Sequence, residues 1–160
     1  MIQRWSPRPV PDADRQRWLG HLELRFGIPV AAFDGFELWQ PNSKEVAIVP
    51  RSIAAPSAPP ALWQGLLLLH VQMADPKPTT AAAQIFGTLA TRNVIALDDP
   101  GEARAFLSRA PIALEPSRLG RVTGPGWVLL AHQGYILGVG QLARDEPPTL
   151  LSHYPKAWAI

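Results

Sequence analysis

The chain contains no cysteine. This absence excludes disulfide bonds, thiolate nucleophiles, iron–sulfur clusters and zinc sites built from cysteine. Long apolar runs are missing too: those present, such as Gly65 to Leu69, are far shorter than the roughly 20 residues that span a bilayer. No apolar signal-peptide core follows the first residues. We therefore expect a cytoplasmic protein without a membrane partner.

The chain also lacks a large excess of positive or negative charge. The 160 residues include 15 basic and 13 acidic side chains, for a net charge of +2. Such a small excess does not support non-specific duplex binding through a large release of counterions. With 47% hydrophobic residues, the chain can bury a core as one domain or as two small units.

The usual catalytic patterns are also missing. No two of the four histidines have the i,i+4 spacing of a helical zinc site, and His70 is interpreted as a core histidine within an apolar strand. The sequence has no nucleophile elbow and no phosphate-binding loop. The Asp98-Asp99 pair is typical of a helix start. We predict no metal, no cofactor and no catalytic residue.

Proline, by contrast, is abundant, and its 18 residues divide the chain. The first unit is predicted to hold a helix over residues 14–26, capped by Asp12 or Asp14, with an apolar stripe of Trp18, Leu22 and Phe26. Gly27 ends this helix. A hairpin follows, with strands at residues 33–39 and 45–49, and the proline-rich stretch 50–60 is typical of a hinge.

The second unit is predicted to be mostly β with two short helices. Its predicted strands cover residues 65–73, 93–97, 126–133, 135–142 and 150–160, the last broken at Pro155. Pro78-Thr79-Thr80 opens a helix over residues 81–89, and Asp98-Asp99-Pro100 opens another that ends near Arg109. The fold class is therefore α+β. The predicted boundaries are residues 1–53 for the first unit, 54–62 for the hinge and 63–160 for the second unit.

Two stretches carry no acidic residue. The first, 116–143, contains Arg118 and Arg121, and the second, 147–160, contains His153, Tyr154 and Lys156. Uncharged or basic surface with aromatic side chains suits RNA, because bases stack on the rings and phosphates meet the cations. The alternative interpretation is that these aromatic side chains belong to the core.

Three segments, in their order along the chain, are similar to a known arrangement. Residues 126–140 (GWVLLAHQGYILGVG) together with His153-Tyr154-Pro155-Lys156 resemble the C-terminal PUA module of the NOL1/NOP2/Sun RNA cytosine methyltransferases, the RsmF-like enzymes. Lys77-Pro78-Thr79-Thr80 is similar to the helix start after that module's first strand. Residues 25–29 and 33–35 resemble the pre-PUA unit of those methyltransferases and of Nip7-type ribosome-biogenesis factors.

The resemblance implies a small N-terminal α/β unit followed by a PUA-like mixed pseudo-β-barrel that binds structured RNA. It also implies a binding face made by the first helix of the barrel and its last strands. The free backbone N–H groups, hydroxyls and lysine of that helix start suit a phosphate. With the residues of the acid-free stretches, the predicted RNA-binding set is Lys77, Thr79, Thr80, Arg118, Arg121, Tyr135, His153, Tyr154 and Lys156.

The chain also departs from the family pattern. Gln141, Leu151 and Ala159 stand at or near positions where family members often carry a cation. The cysteine nucleophile and the S-adenosylmethionine-binding domain of the methyltransferases are both missing. We therefore expect a noncatalytic protein that binds rRNA or tRNA, in RNA modification or ribosome biogenesis. One alternative is an adaptor on the same fold that docks a methyltransferase or a ribosomal particle. Another is an enzyme using Asp, His and Tyr in a pocket between the two units.

Overall fold

A computed structural model describes residues 7–53 and 64–160. The described residues form three α-helices, α1 (Asp12–Phe26), α2 (Thr80–Phe86) and α3 (Pro100–Leu107). The strands are β1 (Arg8–Pro9), β2 (Phe36–Asn42), β3 (Glu45–Pro50), β4 (Leu66–His70), β5 (Lys77–Pro78), β6 (Val94–Ala96), β7 (Ile112–Ala113), β8 (Gly126–His132), β9 (Tyr135–Ala143) and β10 (Thr149–Ser152). Single 3₁₀ turns occupy Val30–Phe33, Gly87–Leu89, Pro116–Leu119 and Lys156–Trp158.

The strands form two five-stranded sheets. The first has the order β1-β2-β3-β4-β5, and all its pairs are antiparallel. The second has the order β6-β8-β9-β10-β7 and curls into a half-barrel, with β6 and β8 parallel and the other pairs antiparallel. The predicted α+β class is confirmed. None of the helices in the described ranges is long and apolar enough to cross a membrane.

Strand β8 separates two cores, because its successive side chains point to opposite faces. Trp127 and Leu129 pack with the apolar stripe of α1 and with α2, whereas Val128 and Leu130 pack with α3 and β10. The first core also contains Leu38 and Ile48 from the hairpin and Leu69 from β4. Side chains from before residue 53 and after residue 64 therefore share one hydrophobic core.

The first helix begins earlier than predicted. Pro11 occupies its N-cap and no side chain caps it, so the predicted capping role of Asp12 or Asp14 is wrong. Both carboxylates lie in the first turn, where they face the positive end of the helix dipole. The predicted stop is confirmed: Gly27 adopts a left-handed φ of 70°, and a Cβ there would lie 2.0 Å from Thr91 Oγ1.

The predicted last strand is too long. Strand β10 ends at Ser152, and Pro155 precedes a 3₁₀ turn in which the Trp158 N–H donates to the Pro155 carbonyl at 3.0 Å. Proline has no N–H for a strand ladder, and its fixed φ suits the start of such a turn. His153, Tyr154 and Lys156 therefore lie after the last strand and not in it.

The first strand of the predicted second unit joins the N-terminal sheet. Strand β4 pairs with β3, so Val46 faces Leu69 across the ladder. It covers five residues, since Val71 and the two residues after it are not in the strand. The predicted hinge, 54–62, lies outside the described residues, and the division of the chain into two units stays a prediction.

Candidate nucleic-acid interface

A cavity of about 400 Å³ lies at the start of α2. We call it the Lys77 cavity. Pairing of β4 with β5 places His70 opposite Lys77 in the ladder, and the His153 N–H donates to the Val139 carbonyl at 3.0 Å, which ties the segment after β10 to the half-barrel. The polar and aromatic side chains that line the cavity are those of His70, Lys77, Thr79, Thr80, His153 and Trp158.

The two threonines at the start of α2 have little hydroxyl surface left for a ligand. The Thr79 hydroxyl donates to the Leu67 carbonyl at 2.6 Å and accepts from the Ala82 N–H at 3.1 Å, so Thr79 is the N-cap of the helix. Thr80 is only 7% exposed. The sequence predicts that both hydroxyls face a ligand, whereas in the structure the Thr79 hydroxyl caps the helix and Thr80 is buried.

Positive groups converge at the cavity. Burial lowers the pKa of Lys77, and the charge of Arg109 lowers it further. The Lys77 Nζ lies 5.7 Å from the centre of the Trp127 ring, within cation–π range. Burial also lowers the pKa of His153, followed by the charges of Lys77 and Arg109. An anion in the cavity would face a lysine and would favour the protonated form of the histidine.

His70 differs from Lys77 and His153, because a carboxylate group also lies close to it. Its pKa is lowered by burial and by Lys77, while Glu45 acts in the opposite direction from 3.7 Å between Nδ1 and Oε1. The interpretation of His70 as a buried core histidine is wrong, because its side chain is one-third exposed and lines the cavity.

The segment after β10 holds the remaining predicted residues near the cavity. The Tyr154 ring lies edge-on to Phe106 and to Trp158, with ring centres 5.8 Å and 6.1 Å away, and Arg109 donates to the Tyr154 carbonyl. Lys156 is exposed at the start of the 3₁₀ turn. Tyr154 therefore packs against the second core, while Lys156 stays accessible to solvent.

Arg118 and Arg121 lie elsewhere, in a groove of about 490 Å³ at the other end of α2. We call it the Arg121 groove. Arg118 donates to both carboxylate oxygens of Glu102, at 2.6 Å and 3.0 Å, and to the Ala96 carbonyl. Glu102 raises the pKa of Arg118. Tyr135, 76% exposed at the β8–β9 turn, stands between two residues that line the groove, Gly134 and Ile136.

A comparison with known protein families finds a similarity over the C-terminal part of the chain. Residues 92–160 match the family model described as the methyltransferase RsmF PUA domain. The C-terminal region is a PUA-like module. PUA modules bind RNA, so the match supports RNA binding as the function of this region. No curated protein matches the chain.

The PUA-like module contains only part of the predicted site. Arg118, Arg121, Tyr135, His153, Tyr154 and Lys156 lie inside the matched range, whereas the Lys77 to Thr80 helix start precedes it. The fold joins the two, because β9 packs against α2. Within residues 7–53 and 64–160, no three His, Asp or Glu side chains come close enough to hold a metal ion.

Sequence reasoning missed two side chains of the Lys77 cavity, His70 and Trp158. Trp158 is 53% exposed and lines the cavity. The acid-free character of residues 147–160 was the available signal for Trp158. For His70 no local signal exists, since its place beside Lys77 comes from the β4–β5 pairing.

Stability should fall as the pH is lowered below about 6.5. Burial lowers the pKa values of His21, His70 and His153 in the folded protein. The unfolded chain therefore binds these protons at higher pH than the folded chain, so this part of the stability is present above the ordinary histidine pKa and is lost through the lowered one. We expect a lower melting temperature at pH 5.0 than at pH 7.5.

Matched variants test whether an anion binds at the Lys77 cavity or elsewhere in the molecule. His21 lies outside the cavity, where Asp75 and Arg25 are the charged groups that shift its pKa. Added inorganic phosphate should reduce the loss of stability in wild type and in His21→Gln. It should do so less in His70→Gln/His153→Gln. A phosphate effect of the same size in all three proteins would contradict anion binding at the cavity.

Proposed function

We propose that this protein binds structured RNA, rRNA or tRNA, without catalysing a reaction on it, through the Lys77 cavity. The observation that carries the proposal is the convergence of Lys77, His153 and the exposed Trp158 ring on one cavity beside a PUA-like module. A lysine and protonatable histidines meet phosphate, and an exposed indole ring offers a stacking surface for a base. Such a protein would act in the cytoplasm, in RNA modification or ribosome biogenesis.

The direct test is binding of the purified protein to tRNA and to rRNA fragments across a salt series, with duplex DNA as the control. Preference for structured RNA, with affinity that falls as salt increases, supports the proposal. Equal affinity for duplex DNA would mean that the protein binds nucleic acid by general electrostatic attraction and would contradict a preference for structured RNA. No detectable binding to either RNA at low salt would contradict the proposal.

The substitution Lys77→Ala should weaken RNA binding and reduce the slope of log affinity against log salt by about one. The reason is that Lys77 contributes one positive charge to the lining of the cavity, so its removal should lose about one phosphate contact. Lys77→Arg should keep the slope, because the charge remains.

Lys44→Ala is the matched control for this measurement. Lys44 is exposed in the turn between β2 and β3 and does not line the cavity. Its removal changes the net charge by the same amount. A slope that changes equally in Lys44→Ala and Lys77→Ala would exclude Lys77 from the binding site.

The second candidate function is that of an adaptor for a methyltransferase or a ribosomal particle. The observation that favours it is the exposed apolar surface near the C-terminal segment, where Leu151, Trp158 and Ile160 are 41%, 53% and 73% exposed. Binding to a methyltransferase that is weakened by Leu151→Ser but not by Lys77→Ala would favour the adaptor function.

A further inference from the structure

The Arg121 groove gathers positive charge on one side of the PUA-like module. Three of the residues that line it are arginines, Arg92, Arg118 and Arg121, and no acidic residue is among the described residues that line it. Thr88 and Thr91 add two hydroxyl groups. A concave surface with cations of one sign and hydroxyl donors has the chemistry that a phosphodiester backbone requires.

The three arginines differ in whether their guanidinium groups have a partner among the described residues. Arg118 is held by Glu102, whereas no ion pair or side-chain hydrogen bond involves Arg92 or Arg121 within residues 7–53 and 64–160. Both side chains are exposed. Their backbones are nevertheless fixed, because the Arg92 N–H donates to the Phe26 carbonyl at 3.2 Å and the Arg121 carbonyl accepts from the Asn93 N–H at 2.9 Å.

The fixed backbones and exposed guanidinium groups of Arg92 and Arg121 together favour phosphate binding. The ordered backbone sets where the two guanidinium groups can reach, and the free side chains have their donors available for phosphate oxygens. Like charges that converge without an acidic partner repel each other, and an anion relieves that repulsion. Arg92 and Arg121 therefore bring to the groove two positive charges that have no ion-pair partner in the described parts of the chain.

Tyr135 supplies a second kind of contact at the edge of the groove. Its ring is 76% exposed, and the glycine before it gives the turn a positive φ of 84°. The ring belongs to neither core. An aromatic ring in this position offers a stacking surface for a base of a strand whose phosphates lie in the groove.

The two concave surfaces lie at opposite ends of one short helix. The Lys77 cavity contains the start of α2, and the Arg121 groove contains the residues that follow its end, Gly87 and Thr88. The seven residues of α2 separate them by about 10 Å along its axis. One nucleic-acid chain can reach both, since successive phosphates are only a few ångströms apart.

We propose that the Arg121 groove is a second RNA-backbone site, in which Arg92 and Arg121 bind phosphates and Tyr135 stacks on a base of the same RNA that enters the Lys77 cavity. This inference rests on the proposed function, because it concerns a second contact with the same RNA. It assigns to Arg92 a role in RNA binding that the sequence did not indicate. It also gives different roles to Arg118, whose guanidinium group pairs with Glu102, and Arg121, which binds phosphate.

The test is the affinity of a labelled tRNA for the wild-type chain and four variants across a salt series. Arg92→Ala/Arg121→Ala should lower the affinity roughly tenfold at moderate salt and reduce the salt slope by about 1.5, since two phosphate contacts are lost. Arg92→Lys/Arg121→Lys should keep the slope, because lysine still binds phosphate as a point charge. Tyr135→Ala should lower the affinity about fivefold or more with no change of slope, because it loses stacking and no charge.

The control is Arg17→Ala/Arg104→Ala, which removes the same total charge from the exposed surfaces of α1 and α3, outside both concave surfaces. If its salt slope falls as much as that of Arg92→Ala/Arg121→Ala, the effect is one of net charge and the second site is refuted. Wild-type binding that depends on Lys77 but on neither Arg92 nor Arg121 would overturn the second site alone. Failure of the wild-type protein to bind tRNA and rRNA would overturn the proposed function, and the second site with it.

Discussion

Trp127→Ala is expected to lower the free energy of unfolding by about 3–5 kcal/mol. The indole is 7% exposed and packs in the core that α1, α2 and β8 share. Its Nε1 donates to the Asp75 carbonyl at 3.0 Å, and its ring lies edge-on to His153 with 4.9 Å between the ring centres. Truncation leaves a cavity in the core and an Asp75 carbonyl without its donor.

Equilibrium unfolding in urea measures this loss, and Trp158→Ala is the matched control. Trp158 is 53% exposed, so its removal should cost less than about 1 kcal/mol. Trp127→Phe should fall between wild type and Trp127→Ala, because it keeps most of the apolar volume and loses the N–H. A Trp127→Ala protein as stable as wild type would mean that the indole does not pack in the core.

The second large effect is expected at Asn93. This side chain is fully buried, and its Nδ2 donates to the Arg25 carbonyl and to the Thr123 hydroxyl, while its Oδ1 accepts from the Thr123 N–H at 2.9 Å. The backbone is left-handed, with φ of 55°, a conformation that asparagine tolerates better than alanine. We expect Asn93→Ala to lower the free energy of unfolding by about 2–4 kcal/mol.

The variant Asn93→Gly separates the effect of the lost hydrogen bonds from the effect of the left-handed backbone. Glycine loses the three hydrogen bonds but adopts the left-handed backbone without strain, so it should be about 1 kcal/mol less damaging than alanine. Asn42→Ala, which removes an exposed asparagine from the β2–β3 hairpin, should cost less than about 1 kcal/mol. If both Asn93 variants unfolded like Asn42→Ala, the side-chain bonds that join the end of α1 to the segment before β8 would not contribute to stability.

Local patterns predicted most of the elements well. The stripe of Trp18, Leu22 and Phe26 identified the buried face of α1, and the Asp98-Asp99-Pro100 segment marked the start of α3, where Asp99 caps the helix by accepting from the Gly101 N–H at 2.6 Å. The Pro78-Thr79-Thr80 segment likewise marked the start of α2, whose N-cap is Thr79. Periodicity, caps and turn residues depend on neighbours within a few positions, so they can be read without the fold.

Other features needed partners that are distant in sequence. The short strand β7 exists because Ile112 pairs with Leu150 of β10, and nothing in its two residues indicates a strand. The early start of α1 at Asp12 was missed because no side chain caps it. Elements that are defined by a pairing partner have no local signal, and their ends are correspondingly hard to predict.

The predicted RNA-binding residues divide in the same way. Proximity in sequence placed Lys77 beside Thr79, and the resemblance added His153, which does line the same cavity. The sequence did not reveal that the Thr79 hydroxyl is occupied, that Arg118 is bound to Glu102, or that Arg121 lies in a separate groove with Arg92. The role of each predicted residue in RNA binding stays a prediction until the variants above are measured.

The sequence by itself determined the classes of chemistry open to this protein. The absence of cysteine excludes thiolate chemistry, and the two acid-free stretches and the RsmF-type motif near the C-terminus pointed to RNA. Only the tertiary structure decided which side chains share a surface and which are already engaged. The physical reason is that composition and motifs are properties of the chain itself. The accessibility of a side chain and its charge partners arise only when separate segments of the chain pack together, as β4 does with β5 and α1 with β8.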